Sequence, residues 1–330
     1  MIKVQRDFFS LAFAQQGMKK EIFENIAQKT GIDDLIGLLS ERLSGSELNS
    51  LLMEVFDRNV QKLSPALLLK QYTANRFVQP AESDMIGLLT SELNALQFLQ
   101  QRGFEPIELS PAAQLGACSV VASVDQKKVI SATRNTEISA DATNAIALHI
   151  ASLRKAGKRS GHLHFCTAHR HIRTQPLTGK GHTAHFKIGC MVSSGRDTGS
   201  YSFECDALLN HFTTLDNLMR TVFGIKTTRF KLLRPEGYKS PDILLITVAG
   251  HLKKHSTIDL EIVDAPGANS YYKGIQFKMT IELPGGDKEI ADGGFVDWTQ
   301  QLLQNKKERL LISGFGLELL YKFQNGLIKL

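Results

Sequence analysis

Two stretches of alternating polar and apolar residues, joined by a short basic loop, place the strongest constraint on how this 330-residue chain folds. Residues His162–His171 alternate as a half-buried strand does, and Phe186–Val192 has the pattern of a strand that returns beside it. Residues 175–182, which lie between them, contain two glycines and a lysine, as a basic loop does. The pattern therefore predicts a pair of neighbouring strands within an antiparallel sheet.

Composition then limits the class of protein. With 42% hydrophobic and 22% charged residues, the chain has the balance of a folded protein with one or two domains, which excludes a disordered, collagen-like or coiled-coil chain. No segment approaches the roughly 18 uninterrupted apolar residues of a membrane helix, and the first twenty residues lack the core of a signal peptide. We therefore expect a cytoplasmic protein with no membrane partner. The four cysteines have no paired spacing, so neither a disulfide framework nor a four-thiolate zinc site is predicted.

The first 80 residues are predicted to form a helical domain, followed by a second domain over residues 81–330. Apolar residues recur at steps of three and four, most clearly from Leu48 to Phe56, and Ser44 with Glu47 forms a capping-box pattern ahead of them. A helical packing or partner domain is the simplest interpretation. A nucleic-acid-binding domain is the alternative, although the positive and negative charges of this segment nearly cancel.

The second domain begins with the order helix, glycine, strand, proline. An amphipathic helix is predicted over residues 85–101, ending at Gly103, and a strand over Phe104–Leu109 that stops before Pro111. The remaining predicted elements are a helix over residues 202–224, strands at Asp242–Val248 and Gln276–Ile281, a turn at Gly285 and Gly286, a strand ending at Asp292–Gly294, and a last helix after Gly314–Gly316.

Positive charge is concentrated in one region. The chain carries a net charge of +6, and nine Lys or Arg residues and seven of the ten histidines lie between residues 131 and 187. This is where an anion would bind. Arg170 and Arg173 could hold a phosphate by bidentate hydrogen bonds, or could instead form a strand of surface ion pairs. Histidine pairs at two-residue spacing lack a convincing third ligand, so we predict no metal site.

Two further patterns bear on chemistry. No nucleophile elbow is present and no cysteine has a recognisable reactive context, so covalent catalysis is unsupported. The segment Asp292–Gly294, followed by Asp297, would let the backbone approach a ligand while a carboxylate receives an amine. A tight hairpin explains the same residues equally well.

Taken in order, several of these segments resemble the catalytic core of a class II aminoacyl-tRNA synthetase, and the histidyl type most closely. The helix before Gly103 resembles the first motif, Ala168–Arg173 with His185–Gly189 the second, and Gly314–Leu320 the third. Three other segments are similar to the family's substrate-binding segments: Ser131–Glu137, Gly267–Phe277 and Ala291–Trp298. The resemblance implies an α+β fold over residues 81–330, with an antiparallel sheet flanked by helices, behind an all-helical N-terminal domain.

The resemblance also assigns residues to a site that would hold ATP and Mg²⁺ as cofactors. Arg170 would be the catalytic, α-phosphate arginine. The implied nucleotide-binding residues are Arg170, Arg173, Phe186 and Glu318, and the implied amino-acid-binding residues are Arg134, Glu137, Tyr271, Tyr272, Gly293, Gly294 and Asp297. We expect Arg170 and Asp297 to share one wall of the sheet.

The chain departs from the motifs at four positions. Ile172 stands where an acidic residue recognises the adenine amino group, and Phe295 stands where an arginine is usual. Gly267 and Leu319 replace the catalytic and γ-phosphate arginines. Because each lost phosphate donor costs about 10²–10³ in rate, ordinary synthetase turnover would not survive these changes. The chain also ends directly after the third motif, which would leave no anticodon-binding domain.

These features predict a synthetase-like paralogue that forms a homodimer and binds an amino acid, a nucleotide or a related small anion instead of charging tRNA. It would act in a regulatory or binding role, through a protein partner or a regulated protein. The alternative is an ATP-dependent ligase that still forms an acyl-adenylate, with Arg173, Lys180 or Lys187 substituting for the lost cations. A further alternative is RNA binding through the basic region, although tRNA is the less expected partner.

Overall fold

A computed structural model describes residues 20–175, 183–266, 271–282 and 286–328. Within these ranges, residues 20–65 and 133–135 form one compact unit, and the remaining residues form a second, larger one. The predicted domain boundary near residue 80 stays a prediction. No helix in the described ranges has both the length and the apolar character needed to cross a bilayer.

The first unit is helical, as predicted. Residues 20–30 are helical, two short helical turns follow at Leu35–Gly37 and Leu38–Arg42, and α1 spans Gly45–Val60. The predicted capping box is present: Ser44 Oγ accepts from the Glu47 amide at 3.3 Å, and the Ser44 amide donates to the Glu47 carboxylate at 2.8 Å. Because these bonds satisfy free amides of the first turn, they determine where α1 begins.

The second unit is built on an eight-stranded sheet. Its strands are β1 (Glu105–Pro106), β5 (Leu163–Ile172), β6 (His185–Arg196), β7 (Thr228–Arg234), β8 (Leu260–Pro266), β9 (Gln276–Ile281), β10 (Lys288–Val296) and β11 (Glu308–Phe315). They lie in the order β1-β5-β6-β11-β10-β9-β7-β8, with antiparallel pairing in the interior and parallel pairing at the two edges, between β1 and β5 and between β7 and β8. A separate three-stranded sheet, of order β2-β4-β3, contains β2 (Ala112–Gln114), β3 (Ser131–Ala132) and β4 (Thr136–Ile138).

Helices complete the second unit. They are α2 (Pro65–Ala74, which begins at the division between the units), α3 (Met85–Gln101), α4 (Ala142–Lys155), α5 (Ser202–Thr221), α6 (Pro241–His255), α7 (Trp298–Leu303) and α8 (Leu317–Gln324), with short turns at Ala117–Val121 and Gln126–Lys128. Gly103, two residues beyond the end of α3, has the predicted left-handed conformation, with φ of 87°.

Alternation along the strands divides the core between the two faces of the sheet. Cys166 and Met191 belong to the core cluster of α3, α5, α6 and α8, which we call the first face. Phe165 and Val192, their immediate neighbours in sequence, belong to the cluster of α4 and α7, which we call the second face. Because side chains alternate with a period of two, the identity of a strand residue decides which layer it joins.

Several sequence predictions were wrong in their local detail. Asp242–Val248 is not a strand but part of α6, which begins with Pro241 at its first turn and buries Leu244, Val248 and Leu252 on one side. A seven-residue window of mostly apolar residues was too short to show that four-residue period. The strand predicted over Phe104–Leu109 is reduced to β1. Strands β7, β8 and β11, the three strands of the small sheet, and helices α4 and α7 were missed.

Other predictions hold or fall outside the described residues. Strands β5, β6 and β9 and helices α3, α5 and α8 lie where they were predicted, within a few residues. The Asp292–Gly294 segment lies inside β10, between two antiparallel neighbours, so the tight-hairpin alternative is wrong. Most of the predicted basic loop, residues 176–182, and Gly285 of the predicted turn lie outside the described residues.

Candidate functional site

A cleft with two lobes lies on the second face of the sheet. The lobes measure about 240 and 300 Å³ and share their lining at a junction. The junction residues are Asp141, Arg173, Tyr271, Tyr272 and Asp292. We call the smaller lobe, which contains His171, the His171 lobe, and the larger one, which contains Lys128, the Lys128 lobe.

Strand alternation builds the floor of the His171 lobe. His171 and Arg173 lie on the same side of β5 as the second-face residue Phe165, and the Arg173 amide continues the ladder by donating to Ala184 O at 3.0 Å. On β6, Ile188 and Cys190 lie on the same side as Val192. Asp292 reaches the lobe from β10. The floor thus has an apolar centre with polar groups at either end.

The paired tyrosines are held in place by two carboxylates. Asp141 caps α4 by accepting from the Thr143 amide at 2.8 Å, and its other oxygen accepts from the Tyr271 hydroxyl at 2.7 Å. The Tyr272 hydroxyl donates to Asp292 at 3.1 Å. Burial raises the pKa of both phenols well above its usual range, so both remain hydrogen-bond donors at neutral pH.

Asp292 is itself a buried carboxylate. Burial raises its pKa, the hydrogen bond from Tyr272 acts in the opposite direction, and nearby Glu289 and Asp141 raise it further. Gly294 lies two residues after Asp292 on the same side of β10. It makes room for the Tyr272 ring, because a Cβ at position 294 would lie 2.7 Å from Tyr272 Cδ1. A positively charged ligand group placed beside Asp292 would lower its pKa back toward the usual range.

His171 is the most deeply buried titratable group that lines the cleft. Its residue is 1% exposed, and within the described part of the chain neither ring nitrogen has a hydrogen-bond partner. Burial lowers the pKa of His171 to about 4, and the charges of Arg173 and His169 act in the same direction, against that of Asp141. The ring is therefore neutral at physiological pH, with one donor and one acceptor.

Arg173 places a cation at the junction of the two lobes. Its guanidinium carbon lies 5.5 Å from the centroid of the Phe186 ring, and its Nε donates to Ala140 O at 3.4 Å. The Phe186 ring also meets His171 edge to face at 6.4 Å. The Phe186 ring thus lies beside both the cation of the junction and the imidazole of the His171 lobe.

Comparison with solved structures identifies the scaffold. The chain is similar to apo histidyl-tRNA synthetase from S. aureus, with a TM-score of 0.59 and 13% identity over 78% of this chain and 71% of that one. It is also similar to a protein from Bacillus halodurans described as an ATP phosphoribosyltransferase regulatory subunit/histidyl-tRNA synthetase, with a TM-score of 0.57 and 13% identity over 76% and 83% of the two chains. This is a histidyl-tRNA synthetase-like class II fold.

A histidine–tRNA ligase subunit from Alicyclobacillus acidocaldarius is similar to the same extent, with a TM-score of 0.57 and 13% identity over 77% of this chain and 97% of that one. No protein-family model and no curated protein matches the sequence. The predicted class II core is thus confirmed as a fold.

Within this class II fold, Arg170 does not line the cleft. It lies one position from His171 on β5 and so belongs to the opposite side of the strand, where Nη1 is 3.2 Å from Glu318 and 3.0 Å from His185 Nδ1. It borders a separate cavity of about 360 Å³ beside the start of α3. The arginine of this strand that faces the cleft is therefore Arg173, and the common wall expected for Arg170 and Asp297 stays a prediction.

Glu318 is engaged in the same cluster on the first face. Its carboxylate accepts from Ser83 Oγ at 2.8 Å and from the Lys187 amide at 3.1 Å, and it lies 3.0 Å from Lys322 Nζ. Burial acts to raise the pKa of Glu318, but these donors and the Arg170 charge outweigh it and lower the pKa. The carboxylate is therefore ionised and occupied by the protein itself.

Of the predicted amino-acid-binding residues, only the two tyrosines line the cleft directly, with Gly294 behind Tyr272. Glu137 is fully buried and accepts from the amides of Gly116 and Cys118, both at 3.0 Å, so its carboxylate holds a loop. Gly293 faces the Phe277 ring on the first face. Asp297 lies 4.0 Å from Lys273. Arg134 belongs to the first compact unit, where its amide donates to Asn49.

The residues that line the cleft do not fit ATP and Mg²⁺ well. Its described lining contains two cations, Arg173 and Lys128, for the several charges of a triphosphate. Within the described ranges, no group of three or more His, Cys, Asp or Glu residues is placed to hold a metal ion. Leu319 is apolar, and Gly267 lies outside the described residues.

Sequence reasoning missed Asp141, Lys128 and the role of His171. Asp141 carried a detectable signal, because an Asp two residues ahead of a Thr and before an apolar helical stripe is a typical N-cap. His171 was noted only as half of a histidine pair. Nothing in the sequence shows that its ring would be buried without a partner, because that depends on which face of the sheet carries the cleft.

Proposed function

We propose that this class II core binds a free amino acid in the cleft and acts as a binding or regulatory protein rather than charging tRNA. The observation that carries the proposal is the junction itself. Two carboxylates, Asp141 and Asp292, and one guanidinium, Arg173, line the same space. Charges of both signs beside a small cavity match a zwitterion.

The proposed binding mode assigns one role to each charge. The ligand ammonium lies beside Asp292, whose buried carboxylate gains a compensating charge, and the ligand carboxylate accepts from the edge of Arg173. Tyr271 and Tyr272 close one side, and their edge-to-face ring contact at 4.8 Å keeps both hydroxyls on their carboxylates. Binding therefore needs little rearrangement of the protein side chains.

The distribution of cations supports binding over adenylation. Transition-state charge on a phosphate must be met by preorganised donors, and each missing donor costs about 10²–10³ in rate. Arg170 is held by Glu318 on the other face, and Leu319 and Gly267 stand where the resemblance places arginines. An adenylate-forming ligase would need ATP and Mg²⁺ in a cleft whose described lining has two cations.

The proposal extends to a homodimer, with a protein partner as the route of regulation. Along α3, Met85 is 70% exposed, Ile86 72% and Leu93 55%. Exposed apolar side chains that follow one helix are typical of a covered surface. A sedimentation measurement that shows a monomer at micromolar concentration would contradict this part of the proposal alone.

Calorimetric titration with each of the standard amino acids tests the central claim. Arg173→Ala should weaken the best ligand by about 10- to 100-fold, because a hydrogen bond to a charged group contributes about 1.5–3 kcal/mol. Arg170→Ala is the matched variant from the other side of the same strand, and should leave the affinity of the folded protein within about threefold. Absence of heat from any amino acid would defeat the proposal.

The same samples distinguish the other functions. Pyrophosphate exchange above background with Mg²⁺ present would establish an adenylate-forming ligase instead. A tRNA gel shift that weakens steeply with salt would favour RNA binding through the basic region.

A further inference from the structure

We propose that His171 selects the ligand by its side chain, and that the selected side chain carries an uncharged hydrogen-bonding group such as a carboxamide or a hydroxyl. This inference rests on the proposed function, because it names the class of amino acid that the cleft would take. It assigns specificity to a residue that is not among the carboxylates, the tyrosines or the arginine of the junction.

The first observation is that the His171 ring is buried at the lobe with both nitrogens unpaired. The residue is 1% exposed and lines the His171 lobe, and neither Nδ1 nor Nε2 has a partner in the described part of the chain. Buried polar atoms in folded proteins are nearly always hydrogen-bonded, and an exception calls for a partner that arrives from outside.

The second observation is that the neighbouring polar groups in this lobe are already bonded within the protein. Asp141 is bonded to Thr143 and Tyr271, and Tyr272 is bonded to Asp292. The apolar side chains Ile188 and Ile312 form the floor between them. Since the Arg173 guanidinium is assigned to the ligand carboxylate, the imidazole of His171 is the group at the β5 end of the lobe that is left to bond a ligand side chain.

The charges around the ring exclude charged side chains. A cationic ligand side chain would find no free carboxylate, because Glu289 pairs with Lys278 at 2.8 Å, Asp141 is bonded to Thr143 and Tyr271, and Asp292 is assigned to the ligand ammonium. The lobe lining carries these three carboxylates against the single guanidinium of Arg173, which is assigned to the ligand carboxylate. A second ligand anion would have no cation of its own. With burial lowering the pKa of His171 to about 4, the ring offers a neutral donor and acceptor.

A neutral donor–acceptor ring discriminates strongly between ligands of equal shape. An apolar isostere would leave the imidazole nitrogens unpaired in the complex, whereas a carboxamide or hydroxyl would satisfy at least one of them. Ligands of matched size should therefore differ in affinity because of this one contact.

The test compares such pairs at pH 7 by calorimetry: L-asparagine against L-leucine and L-aspartate, L-glutamine against L-glutamate, and L-threonine against L-valine. For at least one pair, the uncharged polar member should bind about 10-fold or more tightly than its partners. His171→Phe keeps a ring and removes both nitrogens, and should reduce the preference to within about threefold without lowering the melting temperature. His171→Gln should retain part of the preference, and His149→Phe, at an exposed histidine outside the cleft, should retain all of it.

The possible outcomes distinguish the role of His171 from the proposed amino-acid site. An apolar or charged member that binds as tightly as its polar partner, or a preference that survives in His171→Phe, overturns the role of His171 while the proposed amino-acid site stands. Failure of every amino acid to bind the wild-type protein overturns both. If His171→Phe does not fold, the wild-type comparison of matched pairs and the His171→Gln affinities decide the question.

Discussion

Acidification from pH 7 to pH 5 should destabilise the second unit through His211, a histidine buried in α5. Its residue is fully buried, Nε2 lies 2.7 Å from Ser193 Oγ, and Nδ1 lies 2.6 Å from Ser313 Oγ. Ser193 Oγ in turn lies 2.7 Å from His164 Nδ1. Burial lowers the pKa of His211 to about 3, and the neighbouring His164 acts in the same direction.

The size of the effect follows from the difference between the folded and unfolded pKa values. The unfolded chain binds a proton at this residue below pH 6.5, whereas the folded chain does not until about pH 3. Stability is therefore lost progressively as the pH falls through this window. Between pH 7 and pH 5 the loss extends over about 1.5 pH units, which at 1.36 kcal/mol per unit amounts to about 2 kcal/mol.

Urea unfolding at both pH values isolates this contribution when the wild type is compared with His211→Gln. The variant should be less stable at pH 7, by about 1–3 kcal/mol, because its hydrogen bonds to the serines are less well formed. It should then lose about 2 kcal/mol less than the wild type on acidification. His149→Gln, at an exposed histidine, serves as the control and should behave as the wild type does. Equal losses in the wild type and His211→Gln would refute the reasoning.

Three further substitutions test how the fold holds its parts. Glu318→Ala should lower the free energy of unfolding by about 3–5 kcal/mol in urea, because it leaves buried Lys322 without its carboxylate; a loss below about 1 kcal/mol would contradict the buried cluster. Gly294→Ala should cost about 1–3 kcal/mol because its Cβ would meet the Tyr272 ring, whereas Gly250→Ala, in α6 with no heavy atom within 4 Å of its Cβ, should be neutral or stabilising. Ser44→Ala should cost the first unit about 1 kcal/mol, measured as a loss of helical circular dichroism on heating.

The strands β5 and β6 and the helices α3, α5 and α8 could be predicted because their sequence signals are local. The alternation of His162–His171, the stripe that precedes Gly103 and the capping box at Ser44 each depend on neighbours within a few residues. Asp242–Val248 shows the limit of such signals. Its apolar run is compatible with a buried strand or a buried helix, and only packing of Leu244, Val248 and Leu252 against the sheet decides for the helix.

The site was harder to predict because it depends on which face of the sheet each side chain joins, as well as on the order of the motifs along the chain. Motif spacing along β5 favoured Arg170, but a shift of one residue on a strand moves a side chain to the opposite layer. Only the stacking of α4 and α7 on one side shows that the cleft belongs to the face of Arg173. The two buried carboxylates are likewise divided between the faces. Glu318 bonds the cluster on the first face, and Asp292 lines the cleft on the second.

The sequence by itself determined the helical first unit, the strands β5, β6 and β9, the concentration of cations between residues 131 and 187, and the resemblance to a class II core. These are properties of residues close together along the chain, where hydrogen-bond geometry and side-chain periodicity act directly. Tertiary structure alone decided which arginine faces the cleft, that Glu137 and Glu318 are occupied by the protein's own donors, and that His171 is buried without a partner. Those outcomes depend on which segments, far apart in sequence, are brought against each face of the sheet, and on the water excluded when they pack.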